Sequence, residues 1–168
     1  PFPYDGGVTS ALTVCSNGFV SVATGNTTAY IPNVGTMLSS PATAWWSWHD
    51  FNPTAGGGQV KFEEVGSIAY VTWDGVWDFG GSAANANTFQ MQFDSAVGSV
   101  AYAWQTMSTA GTAHLVGYSP AGASMDPGPL DISVELPIVF IVAGQDLFPL
   151  ALVSDARPVI GTTINLNT

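Results

Sequence analysis

The sequence predicts an all-β fold: an antiparallel β-sandwich, jelly-roll-like, with a C-terminal strand extension. Three observations lead there. Residues 88–93 (TFQMQF) alternate strictly, with Phe89, Met91 and Phe93 on one side and Gln90 and Gln92 on the other. Such a period of two means a strand with one packed face and one wet face. Nineteen glycines and eleven prolines punctuate the chain at short intervals, and helical periodicity is almost absent. Short strands between regular turn signals are the pattern of sandwiches and barrels.

The elements follow in order. Residues 8–14 form a first strand, and Ser16-Asn17-Gly18 turns the chain into a second at 19–23. Residues 34–40 form a short helix or turn that Pro41 ends. Residues 59–64 and 68–73 pair as a hairpin over Val65-Gly66-Ser67. Residues 88–93 return through Asp94-Ser95-Ala96-Val97-Gly98 as 99–105, and this hairpin carries a core of Phe89, Met91, Phe93, Val100, Tyr102 and Trp104. Residues 1–118 make the body of the sandwich. Residues 119–130 are a loop rich in glycine and proline. Residues 131–168 supply further strands, at 131–135, 138–142, 147–153 and 158–166, that complete the sandwich and end in an arm (158–168).

Charge sets the functional class. The chain holds one lysine (Lys61) and one arginine (Arg157) against twelve Asp and Glu, a net charge of −10. Only 8% of its 168 residues are charged, against about a quarter in an average domain. Two cations cannot neutralise a phosphate backbone, so no nucleic acid is expected as partner. The same deficit argues against anionic membranes. No apolar run reaches the ~20 residues of a spanning helix, so membrane insertion is not expected either. The longest run, residues 136–143 (LPIVFIVA), suits a buried strand. Without a basic start before an apolar stretch, any secretion signal is expected to have been removed.

Candidate chemistry is sparse. Trp45, Trp46 and Trp48 lie in the stretch AWWSWHDF, with Trp73, Trp77 and Phe79 as a second aromatic group. Neighbours in a strand point to opposite faces, so the three tryptophans are not all expected in the core. One face is left for a glycan or another subunit, where aromatics are enriched. Asp50, Asp74 and Asp78 are candidate calcium ligands, though they lack the spacing of an EF-hand loop. His49 and His114 stand apart in sequence, without the partners of a zinc site. Lone Cys15 suits a buried structural thiol or an intermolecular bridge. Asn26-Thr27-Thr28 is a glycosylation sequon. A nucleophile elbow, a zinc helix and a phosphate loop are all missing. Paired carboxylates among Glu63, Glu64 and Glu135 are the remaining opening for catalysis, and a solvated hairpin edge accounts for the first two. No catalytic residue and no cofactor are expected.

Several segments resemble, in order, the nidogen-like extracellular domain and related β-sandwich modules of large secreted bacterial surface proteins. Residues 16–21 (SNGFVS) and 44–53 (AWWSWHDFNP) carry the likeness, followed by the hairpins over 59–73 and 88–105. It covers residues 4–118. It implies a β-sandwich and a secreted setting, and offers no catalytic constellation. Trp45 and Trp46 depart from the family pattern. The tail from Arg157 to Thr163 resembles the opening strand of a second module.

The expected function is therefore non-catalytic: an extracellular or cell-surface structural protein that self-assembles into a filament, tube or coat. Copies of itself are the expected partners. Scarce charge leaves sheet edges unguarded, and Pro158, Val159, Ile160, Ile164 and Leu166 are the candidate intersubunit strand. The alternative is a glycan-binding or adhesion module of a larger secreted protein that uses the Trp45–Trp48 face.

Overall fold

The computed structural model describes residues 1–56, 58–108, 111–126, 151–154 and 163–167. These form antiparallel sheets throughout, as the sequence predicts, with one five-residue helix. The N-terminus makes a small ribbon of β1 (Phe2–Tyr4) and β2 (Gly7–Thr9). Next come β3 (Thr13–Cys15), β4 (Phe19–Ser21), α1 (Val34–Leu38), β5 (Ala44–Trp48) and β6 (Phe51–Asn52). A meander follows: β7 (Gln59–Val65), β8 (Ile68–Asp78), β9 (Ala86–Asp94) and β10 (Ser99–Thr106). Last are β11 (His114–Ser119), β12 (Ala151–Ser154) and β13 (Thr163–Asn167).

The larger sheet has the order β13-β10-β9-β8-β6, with β7 also on β8, and the smaller has the order β12-β11-β5-β4-β3. The consecutive run β7 to β10 in the larger sheet is a meander rather than the sheet-to-sheet winding of a jelly roll. β8 serves two partners. Its first part pairs β7, and Trp77 and Asp78 pair Asn52 and Phe51 of β6. A bulge around Asp74-Gly75 separates the two parts. Gly75 has φ +64°, the left-handed geometry that such a bulge favours in glycine.

The two sheets bury a shared aromatic core. Phe89, Met91 and Phe93 of β9 and Val100, Tyr102 and Trp104 of β10 are all buried, the set the alternation predicts. The smaller sheet contributes Val20, Trp45, Val116 and Tyr118 to the same cluster. Trp45 meets the Phe93 ring edge-on, 5.2 Å between centroids. Three buried polar tips find partners across the layers. Tyr102 Oη donates to the Gly117 carbonyl at 2.9 Å, Trp104 Nε1 to Ser47 Oγ at 3.2 Å, and Trp73 Nε1 to the Ser16 carbonyl at 3.0 Å. On the outer face of the meander, Gln92 donates to Gln90 and Gln90 to Thr72, both at 2.8 Å.

Several boundaries differ from expectation. The predicted strand over 8–14 is broken in two because the Thr9 hydroxyl bonds both the N–H and the carbonyl of Ala11. Such a local side-chain turn competes with a ladder. Helix α1 starts at Asn33, whose Oδ1 accepts from the Thr36 N–H at 2.9 Å, and it ends before Pro41. β11 was not foreseen: HLVGYS is buried on both faces and shows no alternation. The predicted strands at 131–135 and 138–142 lie outside the described residues. Of 147–153 and 158–166, the described parts belong to β12 and β13.

β13 is the described part of the candidate intersubunit strand. Its partner is β10 of the same chain, with Ile164 opposite Tyr102 and Leu166 opposite Val100. Pro158, Val159 and Ile160 lie outside the described residues.

Candidate functional site

The tryptophan strand is where the sequence placed its candidate surface, and the structure overturns it. Trp45, Trp46 and Trp48 are all fully buried, as is Trp73. β5 is covered on both faces. Trp45 and Ser47 face the other sheet. Trp46 and Trp48 point away from it, into a second cluster with Phe19, Met37, Leu38 and Leu115. Helix α1 supplies Met37 and Leu38 and so seals the face that alternation alone would leave open. Trp46 Nε1 donates to Ser119 Oγ at 2.8 Å, and Trp48 Nε1 to the Ala29 carbonyl at 3.0 Å. Trp73 stacks on Phe89 at 4.6 Å. Trp77 is half-buried, and Gly56 lies against its ring so closely that a Cβ there would overlap the indole. None of the four buried rings offers a face to a sugar.

β5 runs on into a buried polar corner. His49 and Asp78 are 1% and 3% exposed, and His49 Nε2 lies 3.0 Å from Asp78 Oδ1. The other ring nitrogen, Nδ1, is 3.2 Å from the Thr112 hydroxyl. Asn87 Nδ2 donates to Asp78 Oδ1 at 2.8 Å and to the Val76 carbonyl at 3.0 Å, while Asn87 Oδ1 accepts from the Ser108 N–H at 2.8 Å. His114 sets its ring edge-on to His49, 4.1 Å between centroids. Gly111, at φ +78°, closes over the imidazole where a Cβ would sit 3.1 Å from Cε1. His49 directly follows β5 and Asp78 ends β8, so the pair ties one sheet to the other.

Burial raises the Asp78 carboxyl, but hydrogen bonds from His49, Ser108 and Asn87 outweigh it and hold it below the ordinary carboxylate range. Asp50 moves the other way: burial lifts it, His49 draws it down, and the Asp78 charge adds to the rise. A hydroxyl, an imidazole and a carboxylate in line are the parts of a proton relay. Here the imidazole is buried, and its contacts with Asp78 and Thr112 join the segment after β5 to the end of β8 and to the segment before β11 as an inter-sheet clamp.

The candidate calcium ligands do not converge. Asp78 is committed to the clamp, and Asp50 lies beside it. Asp74 is exposed on β8 and ion-paired with Lys61. Among the described residues, no three His, Cys, Asp or Glu side chains gather as a metal site. His49 and His114, apart in sequence, are neighbours in space. Asn26 spends its amide on structure: Nδ2 donates to the Ala42 carbonyl at 3.0 Å, and Oδ1 accepts from the Ala42 N–H at 2.9 Å. Glu63 and Glu64 are exposed on β7, and Glu135 lies outside the described residues. Cys15 is half-buried on β3 with no disulfide, and burial pushes its thiol up. Sequence reasoning missed Asn87, Ser108 and Thr112. Asn87 reaches the clamp from β9, and Ser108 and Thr112 from between β10 and β11; no local pattern marks them.

No family model, curated protein or solved structure matches the chain.

Proposed function

We propose that this chain is a non-catalytic structural module of a secreted or cell-surface protein, which joins copies of itself along its sheet edges. The observation that carries the reading is how charge is distributed over those edges. β7, an edge of the larger sheet, holds Lys61, Glu63 and Glu64. Among the described residues, the outermost strands β3, β12 and β13 hold no charged residue. Edges of soluble monomers are normally guarded by charge or proline, and an unguarded one pairs with another chain. The side of β13 away from β10 is the natural place for that contact. The segments that resemble nidogen-like modules form β4, β5 and β6 of the packed body, which fits a scaffold. The glycan-binding alternative loses its platform with Trp45, Trp46, Trp48 and Trp73 buried.

Sedimentation velocity and negative-stain microscopy over rising protein concentration test this. Concentration-dependent oligomers or fibres are expected, and Asn165→Lys, opposite Ala101 in the β13–β10 register, is expected to shift them toward monomer. A monomer at every concentration overturns the reading.

A further inference from the structure

We propose that the β7 edge is a docking site for an extended cationic segment of a different protein, added to the larger sheet as a further strand. This concerns the opposite end of that sheet from β13 and goes beyond the edge-joining reading. Among the described residues β7 pairs only with β8, so its outer main-chain groups are open along seven residues. An open groove of about 540 Å³ runs beside it, lined by Leu12 and Val14 on one wall and by Phe62, Glu64 and Ile68 on the other. A second hollow continues it past Val60, and Val14 lines both. Alternate β7 residues, Val60, Phe62 and Glu64, therefore line one continuous track. That period is the one strand addition reads, with main-chain bonds giving affinity and alternate side chains giving specificity.

Phe62 and Val65 are 56% and 64% exposed on this strand. Charge names the occupant. Lys61, the one basic side chain among the described residues, is held by Asp74. Exposed Glu64 lines the groove, while Glu63, next along the strand, faces the opposite side of the sheet. An incoming copy of this chain, at net charge −10, would bring its own carboxylates against them. A strand that alternates apolar and basic residues sets its apolar side into the track against Val60 and Phe62 and its basic side on the opposite face, where Glu63 stands. The same acidic pair thus admits one class of partner and turns away its own kind.

The test adds a short synthetic peptide alternating valine with lysine to the full chain, beside a matched peptide alternating valine with glutamate. Binding is read by fluorescence anisotropy, and its place by amide hydrogen exchange. The lysine peptide is expected to bind in a salt-sensitive way and to protect amides of β7. The glutamate peptide is expected not to bind. Glu63→Lys with Glu64→Lys should weaken binding at least about fivefold, the upper range for exposed ion pairs. Both changes are on the surface and leave the melting temperature as a check on folding. Equal binding of the two peptides, protection elsewhere than β7, no binding, or an unaffected double variant each overturns the proposal.

Discussion

Gly18 holds the turn between β3 and β4 in a geometry that only glycine satisfies. Its φ is +86°, and a Cβ there would lie 2.2 Å from the Ser47 carbonyl oxygen and 2.7 Å from the Phe51 ring. The carbonyl belongs to β5, and the Ser47 N–H donates back to the Gly18 carbonyl at 2.8 Å, so neither side can retreat alone. Gly18→Ala adds left-handed strain of about 1–2 kcal/mol to overpacking of about 1–3 kcal/mol. The sum, about 2–5 kcal/mol, corresponds to a fall in melting temperature of roughly 4–20 °C for a chain of this length. Gly66 provides the control. Its φ is +62°, and nothing lies within 4 Å of its missing Cβ, so Gly66→Ala carries the strain without the collision. Thermal unfolding followed by tryptophan fluorescence compares the two. If Gly18→Ala melts no lower than Gly66→Ala, the close approach to β5 does not hold the turn.

Two further outcomes follow from the titrating groups. Asp78 has a depressed folded-state pKa, so its stabilisation is present above the unfolded carboxylate range and is lost as pH falls through the folded value. Asp78→Asn is expected to flatten the acid limb of stability against pH in urea titrations, and an unchanged limb would show that the clamp carries no such weight. Cys15, half-buried with its thiol pushed up, is expected to react with a disulfide reagent near neutral pH far more slowly than in the urea-unfolded chain. Equal rates would contradict its burial.

The β9–β10 hairpin was legible because each of its strands has one dry face and one wet face. That asymmetry writes itself into the sequence as alternation, which is why residues 88–93 and 99–105 gave both the hairpin and its core. β5 and β11 are buried on both faces, so nothing alternates, and AWWSW looked like a strand with a surface to spare. What covers Trp46 and Trp48 is helix α1, whose Met37 and Leu38 give no hint of their destination. The clamp was illegible for a related reason. Its members are single polar residues at strand ends and in loops, and proximity in space is their only common property. The edge charges, by contrast, were legible, because the hairpin over residues 59–73 already set Glu63 and Glu64 on a solvated edge.

The wiring of the two sheets also bears on how the chain reaches this state. The meander closes through tight turns, whereas the smaller sheet must bring Trp46 to Ser119, 73 residues away. Loop closure over that distance is slow compared with a hairpin. During synthesis β5 emerges before the meander and long before β11, so the most aromatic five residues of the molecule wait uncovered. An uncharged, aromatic strand without proline is the kind of segment that zips to its own copies. The hazard for this chain therefore lies in a strand that is fully covered in the finished fold, and that strand must be kept apart from its copies until the second sheet closes.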